Sequence, residues 1–134
     1  MTVISVPLRW CDMDQFGHLY HATLVALLDE ARSRWLGQLD LSDSENFVIA
    51  RVDVSYKNEI LYADGSLEVE IEAERIGSSS VTTRETVRTA TSGVCAEATC
   101  TMVQWDTRTR SSKPINAGDR KALLAVGAGA QRLG

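Results

Sequence analysis

The chain has 134 residues, of which 44% are hydrophobic and 24% charged, and its formal net charge is −4. This length suits one core, so we expect residues 1–134 to form a single domain with a fraying tail at about 127–134. The acidic balance disfavours general nucleic-acid binding, and no apolar run reaches the roughly 18 residues that span a membrane. Three cysteines without a CxxC pair, and an N terminus without a secretory-signal pattern, predict a cytoplasmic protein with reduced thiols.

The N-terminal third predicts one strand, one loop and one long helix. Residues 3–9 are β-branched and apolar, and Pro7 places this strand at a sheet edge because proline cannot donate to a ladder. Residues 11–20 show no helical or strand period and should form a turn-rich loop. Apolar residues then recur at helical spacing over 21–36, with Gly37 as the predicted C-terminal stop.

The two halves of this helix differ in composition. Ala22, Val25 and Ala26 make its first two turns apolar on nearly every side, which is typical of a helix buried inside its domain. Charged residues occur only in the second half, where Glu30 and Arg34 are spaced i,i+4. We therefore expect the far end of the helix to be exposed.

The rest of the chain predicts strands. Four segments alternate with period two and are separated by turn signals: 47–57, 66–76, 80–90 and 94–105. Asn116 or Asp119 could then cap a short helix at 120–126. The order predicts an α+β fold in which an antiparallel sheet curls around one helix, with a cystatin-like helix on a sheet as the alternative. One helix cannot cover five strands and both edges, so we expect an obligate homodimer that pairs its sheets edge to edge.

The predicted helix start lacks a strong N-cap. Tyr20, His21 and Ala22 stand where Ser, Thr, Asp or Asn is usual. Free amides at a helix start carry partial positive charge and can stabilise an oxyanion that develops on a substrate carbonyl. The alternative is a helix that starts two or three residues later, with Thr23 as its cap.

Polar residues are concentrated just before this helix. Asp14 precedes Gly17, which would let the chain turn and place the carboxylate over the helix start, where it could attack an acyl carbon or deprotonate water. An isolated aspartate in such a loop ordinarily caps a turn or is solvated. The only two histidines, His18 and His21, lie in the same segment, although each alone predicts only a local hydrogen bond. No spacing here indicates a calcium or zinc site, and there is no G-x-S-x-G motif.

The pattern W-x-D-x-D-x-x-G-H-x-Y-H-A, followed by an apolar helix ending D-E-A-R, resembles the 4-hydroxybenzoyl-CoA thioesterase family. The strand ending in Tyr56, the later turns and the closing strand follow in the family's order, so the resemblance covers nearly the whole chain. It implies a hotdog fold: one long buried helix wrapped by a curved antiparallel sheet of five or more strands. It also implies a dimer that binds coenzyme A along the subunit interface.

The resemblance assigns roles to individual residues. It makes Asp14 the catalytic carboxylate and the His21 amide the group that polarises the carbonyl. Gly17 matches the family's loop glycine, and His18 follows it. Tyr20 and His21 match the pair that lines the site. Candidates to hold the CoA phosphates are the basic residues Lys57, Arg84, Arg88, Arg108, Arg110 and Lys113.

Three features depart from the family pattern or compete with it. Leu24 stands where members often carry an aromatic residue, which changes the acyl pocket. A proline common near residues 61–63 is absent. Some members use a helix glutamate for catalysis, which would be Glu30 here, but its spacing with Arg34 favours a surface ion pair.

The resulting hypothesis is hydrolysis of an acyl-CoA thioester to a free acid and CoA. It requires no metal or organic cofactor and has acyl-CoA as its partner, with no nucleic acid or membrane, in a homodimer or homotetramer. The alternative is a non-catalytic hotdog protein that binds acyl-CoA as a sensor or carrier. A hotdog hydratase ranks low, because those enzymes place a histidine five positions after the aspartate, whereas His18 lies four after Asp14.

Overall fold

A computed structural model of the chain describes residues 2–44 and 46–126, so the predicted fraying tail at 127–134 lies outside it. Its strands are β1 (Thr2–Pro7), β2 (Phe47–Tyr56), β3 (Ser66–Ile76), β4 (Ser80–Thr89), β5 (Gly93–Asp106) and β6 (Ser111–Ser112). Its α-helices are α1 (His21–Gln38) and α2 (Ala117–Ala125), and single 3-10 turns occur at Trp10–Asp12 and Tyr62–Asp64.

The strands form one antiparallel sheet in the order β1-β3-β4-β5-β2, and the short β6 pairs with the end of β5. The predicted α+β fold, with a long helix on a curled antiparallel sheet, is confirmed. β1 lies at one edge, as Pro7 indicated, and β2 lies at the other. Each edge strand pairs with a strand distant in sequence.

The core lies between α1 and the sheet. The helix buries one face, which includes Leu24, Leu28, Ala31 and Trp35. On β3, buried apolar residues alternate with more exposed glutamates, because successive side chains of a strand point to opposite faces. The facing side of β5 carries small buried residues, which leave room for the helix: Ala96, Ala98 and Cys100. Burial raises the pKa of the Cys100 thiol to about 11, so this cysteine packs as a neutral group.

The predicted end of α1 was wrong by two residues. Gly37 lies inside the helix, which continues to Gln38 and closes with a hydrogen bond from the Leu39 amide to the Leu36 carbonyl. The left-handed conformation that glycine was expected to supply is adopted by Asp40, with φ of 54°. Aspartate tolerates this conformation better than most residues, so the helix needs no glycine stop.

The predicted burial of α1 was also wrong for its first turns and, in the second half, for Arg32. Ala22, Val25 and Ala26 are exposed in the single chain, because the first turns of α1 do not pack closely against β2. In the second half, Arg32 is only 2% exposed and pairs with the fully buried Glu85 of β4. The other predicted pair, between Glu30 and Arg34, is present on the surface at 2.7 Å.

The C-terminal helix begins at Ala117, three residues before the predicted start at 120, and one of the two proposed residues caps it. Asn116, one of the two proposed caps, accepts a hydrogen bond from the Asp119 amide at 2.8 Å. Asp119 itself turns back to the α1–β2 connection, where it accepts hydrogen bonds from Ser42. Neither helix in the described ranges is long and apolar enough to cross a membrane.

Candidate active site

Residues 13–19 form a small hairpin that leads directly into α1. Met13 and Leu19 make an isolated antiparallel bridge, and the Asp14 amide donates to the His18 carbonyl at 2.7 Å. Gly17 has φ of 77°, a left-handed conformation that favours glycine and lets the chain reverse within four residues. Backbone pairing therefore fixes Asp14 and His18 opposite one another.

The Asp14 carboxylate is held by backbone amides. Its Oδ1 accepts hydrogen bonds from the amides of Phe16 at 2.8 Å and His18 at 3.1 Å. Oδ1 thus caps the turn, as the ordinary interpretation of this aspartate proposed. Within the described part of the chain, Oδ2 has no hydrogen-bond partner, which leaves one carboxylate oxygen available for chemistry.

Within residues 2–44 and 46–126, no side chain caps the helix start. α1 begins at His21, and Tyr20 occupies the N-cap position without a side-chain hydrogen bond, so the alternative start capped by Thr23 is wrong. The hydroxyl of Tyr56, at the end of β2, donates to the His21 carbonyl at 2.7 Å, and partial desolvation raises the pKa of this half-exposed tyrosine. The first turn of the helix is therefore tethered to the sheet while its amides keep their partial positive charge.

A cavity of about 290 Å³ opens beside this helix start. Its lining residues come from the hairpin, from α1 and from the segment that follows β2: His18, Leu19, Leu24, Tyr56, Lys57, Asn58, Glu59 and Ile60. Of the predicted site residues, His18 and Lys57 line the cavity. Asp14, Gly17, Tyr20 and His21 lie on the adjoining hairpin and helix start, and their side chains are not part of its lining. Leu24, which replaces the aromatic residue of many relatives, is buried against the cavity.

Asp12 stabilises the base of the hairpin through hydrogen bonds. Its side chain is 2% exposed and accepts hydrogen bonds from the amide and guanidinium of Arg9. Burial opposes ionisation of this carboxyl, but the hydrogen bonds from Arg9 outweigh it and hold the pKa below its ordinary value. The Asp12 carbonyl also accepts from the Tyr20 amide at 2.9 Å, which joins the two ends of the hairpin.

The basic candidates for phosphate binding occupy different places. Lys57 lines the cavity, and its nearest acid is Glu97 at 3.8 Å. Three others are engaged by carboxylates away from the cavity: Arg84 by Glu74, Arg88 by Glu70, and Lys113 by Asp43. Among the six, the geometry therefore favours Lys57 as a contact for a ligand in the cavity.

Sequence reasoning missed Glu59. Its Oε2 lies 2.6 Å from Nε2 of His18, and both side chains line the cavity. Glu59 follows β2 in a stretch without a helical or strand period, so no local pattern indicated its position. In residues 2–44 and 46–126, no group of three histidine, cysteine or acidic side chains is placed to hold a metal ion.

A family model for the thioesterase-like superfamily matches residues 8–123. The chain belongs to this superfamily. The match spans the hairpin, α1 and all the long strands that follow it, and it places the chain in the wider hotdog group that the loop motif indicated. A sequence comparison with curated proteins found no match.

Solved structures of thioesterase-like proteins share the hotdog fold of this chain. A thioesterase from Thermus thermophilus, complexed with coenzyme A and zinc, superposes with a TM-score of 0.82 at 22% identity, covering 92% of each chain. A predicted thioesterase from Bacillus stearothermophilus gives 0.81 at 27% identity, covering 93% of this chain and 95% of its own. A candidate acyl-CoA thioesterase from Xanthomonas campestris gives 0.71 at 28% identity, covering 86% and 98%.

Proposed function

We propose that this thioesterase-like protein is an acyl-CoA thioesterase that hydrolyses an acyl-CoA to a free acid and CoA. The observation that carries the proposal is the uncapped start of α1 directly after a hairpin that holds Asp14 with one free carboxylate oxygen. Such a pairing supplies both an electrophilic and a nucleophilic group. The superfamily match supports thioester chemistry for it.

In the proposed reaction, the acyl carbonyl oxygen docks on the His21 amide. The partial positive charge of the helix start stabilises the negative charge that develops on this oxygen as the acyl carbon becomes tetrahedral. Asp14 acts through Oδ2, either as a nucleophile on the acyl carbon or as a general base on water. The amides on Oδ1 keep the carboxylate fixed, so little reorganisation is needed during the reaction.

The surroundings of Asp14 suggest how the rest of the substrate is held. Gly17 and Tyr20 shape the approach to the helix start, and Lys57 offers a cation to the CoA moiety at the cavity. Leu24 leaves more room than an aromatic side chain would, so we expect an acyl group that benefits from the additional space. The chemistry proposed here uses only groups of the protein and needs no metal or organic cofactor.

A thiol-release assay across short, long and aromatic acyl-CoAs tests the function. We expect turnover that releases one thiol per acid formed, with selectivity among the three classes set by the pocket around Leu24. Calorimetric titration with a non-hydrolysable acyl-CoA provides the comparison. Tight binding without turnover of any of the acyl-CoAs would contradict the proposal and favour a sensor or carrier.

We further propose that the working unit is at least a homodimer built on the β2 edge. Among the described strands, β2 pairs on one side only, and its exposed large hydrophobic residues include Ile49 at 44% and Tyr56 at 51%. Val25 and its neighbours on the first turns of α1 are exposed beside it. A second copy that covers this surface would bury apolar area and complete the ladder of β2.

A charge placed on this surface tests the assembly. Sedimentation should give a dimer or tetramer for the wild-type chain, and Val25→Glu should shift the population towards monomer because the glutamate would be desolvated in the interface. Val3→Glu is the matched control, since Val3 is 52% exposed on β1 at the opposite sheet edge. A monomeric wild-type chain at micromolar concentration would refute this interface.

A further inference from the structure

Backbone contacts next to each residue bring His18 and Glu59 together. His18 forms an antiparallel bridge with Leu61, and the Leu19 amide donates to the Ile60 carbonyl at 2.7 Å. These contacts hold the hairpin against the segment that follows β2. As a result, Nε2 of His18 and Oε2 of Glu59 lie 2.6 Å apart in the wall of the cavity.

This geometry defines which ring nitrogen of His18 can accept a proton. In the tautomer that places the Nε2 hydrogen toward Oε2 of Glu59, the lone pair of the imidazole lies on Nδ1. Within the described ranges, no group hydrogen-bonds Nδ1. A carboxylate that fixes the tautomer and orientation of a histidine is a recurring way to make that histidine a general base.

Asp14 can act as a nucleophile only if another group activates the water that completes hydrolysis. Its Oδ1 accepts hydrogen bonds from two amides, one of them the amide of His18 itself, so the aspartate and the imidazole belong to the same rigid hairpin. Of the two histidines near the helix start, His18 is the one that lines the cavity, together with Glu59. Lys57 is the other charged residue in that lining.

We propose that Glu59 is a positioning residue that acts through His18, and that His18 deprotonates the hydrolytic water. This inference rests on the proposed function. Oδ2 of Asp14 attacks the thioester carbon, the C–S bond breaks, and CoA leaves as a thiolate. Water gives a proton to Nδ1 of His18, and the hydroxide attacks the acyl carbon of the resulting anhydride. The bond to Asp14 breaks, and the acid and the imidazolium each lose a proton to solvent. The thiolate released earlier takes one proton from solvent, so one proton is released per turnover.

Pre-steady-state thiol release separates this role from a structural one. His18→Ala should release about one CoA per active site in a rapid burst and then turn over at least about 100-fold more slowly than wild type, because deacylation lacks its base. Glu59→Gln keeps the side-chain length and an acceptor oxygen but removes the charge. It should lower kcat about tenfold with KM within about twofold, and show the same burst.

A double variant and two further substitutions complete the test. If Glu59 acts through His18, the double variant His18→Ala/Glu59→Gln should be no slower than His18→Ala alone. Glu59→Asp should recover more of kcat than Glu59→Gln. Glu70→Gln is the matched control, since Glu70 is ion-paired with Arg88 at 2.8 Å on β3, and it should keep wild-type kinetics.

The outcomes distinguish this inference from the proposed function. Wild-type kcat in Glu59→Gln, additive losses in the double variant, or no burst in His18→Ala would overturn the role of the pair while leaving the thioesterase activity in place. Failure of the wild-type protein to hydrolyse any acyl-CoA would overturn the function, and the role of the pair with it.

Discussion

Asp14→Asn should abolish thioesterase turnover while leaving the fold intact. Asparagine keeps an oxygen that can accept from the amides of Phe16 and His18, so the hairpin should persist. The amide nitrogen that replaces Oδ2 can neither attack an acyl carbon nor accept a proton. We expect kcat/KM to fall about 10³-fold, or roughly 4 kcal/mol of transition-state stabilisation, measured by thiol release on the best acyl-CoA.

A control variant and a single-turnover experiment accompany this prediction. Glu30→Gln should retain wild-type turnover, because Glu30 lies on the surface of α1 and pairs with Arg34 at 2.7 Å. A single turnover quenched in acid then identifies the role of Asp14: an acyl group found by mass spectrometry on Asp14 marks a nucleophile, and the absence of any acyl-enzyme marks a general base. A soluble Asp14→Asn protein with wild-type turnover on every acyl-CoA tried would contradict a catalytic role for Asp14.

Removing one partner of the buried Arg32–Glu85 pair should destabilise the protein more than any surface substitution. Nη1 of Arg32 donates to Oε1 of Glu85 at 2.7 Å, and Thr83 donates to Oε2 at 2.6 Å. Burial raises the pKa of Glu85, although the charge of Arg32 and the hydrogen bond from Thr83 oppose that shift. Glu85→Ala leaves the buried guanidinium with only a 3.7 Å contact to the exposed Asp29, so we expect a loss of about 3–5 kcal/mol and a Tm lower by roughly 10–20 °C.

Matched variants separate two contributions to the free energy of unfolding: the cost of leaving one buried charge without its main partner, and the net contribution of the intact pair. Arg34→Ala removes an exposed pair on the same helix and should cost less than about 1 kcal/mol. The double replacement Arg32→Met/Glu85→Leu removes both charges and should restore most of the stability in chemical denaturation. A Glu85→Ala protein as stable as wild type would show that Arg32 reaches solvent or another partner.

Local patterns predicted the elements of this fold because each element exposes one face. The alternation of apolar residues and glutamates along β3 determines which side chains enter the core, and its predicted bounds agree with the structure. The absence of a cap at Tyr20 predicted the free start of α1 for a similar reason. Capping depends on a few adjacent residues, and these can be read directly from the chain.

Two of the errors share a different cause, since they depend on residues distant in sequence. The helical pattern assigned Arg32 to solvent, but its partner Glu85 lies 53 positions away on β4. Glu59 gave no signal, because its partner His18 is brought to it by a bridge between separate loops. A charged side chain can be buried, or can take part in a site, only where the fold places an ion-pair partner beside it. The periodicity of the sequence does not reveal which distant residue that partner is.

The strand order also constrains how the chain is made. β2 is the second strand in the sequence, yet within the described sheet it pairs only with β5. During synthesis at about 5–20 residues per second, residues 57–92 must be added before β5 begins to emerge, which takes a few seconds. Throughout that interval, β2 of the nascent chain, with its valines and isoleucine, has no β5 strand with which to form hydrogen bonds. The β2 edge of the sheet can therefore close only after β5 has emerged, and until then this segment offers unpaired backbone groups to other chains.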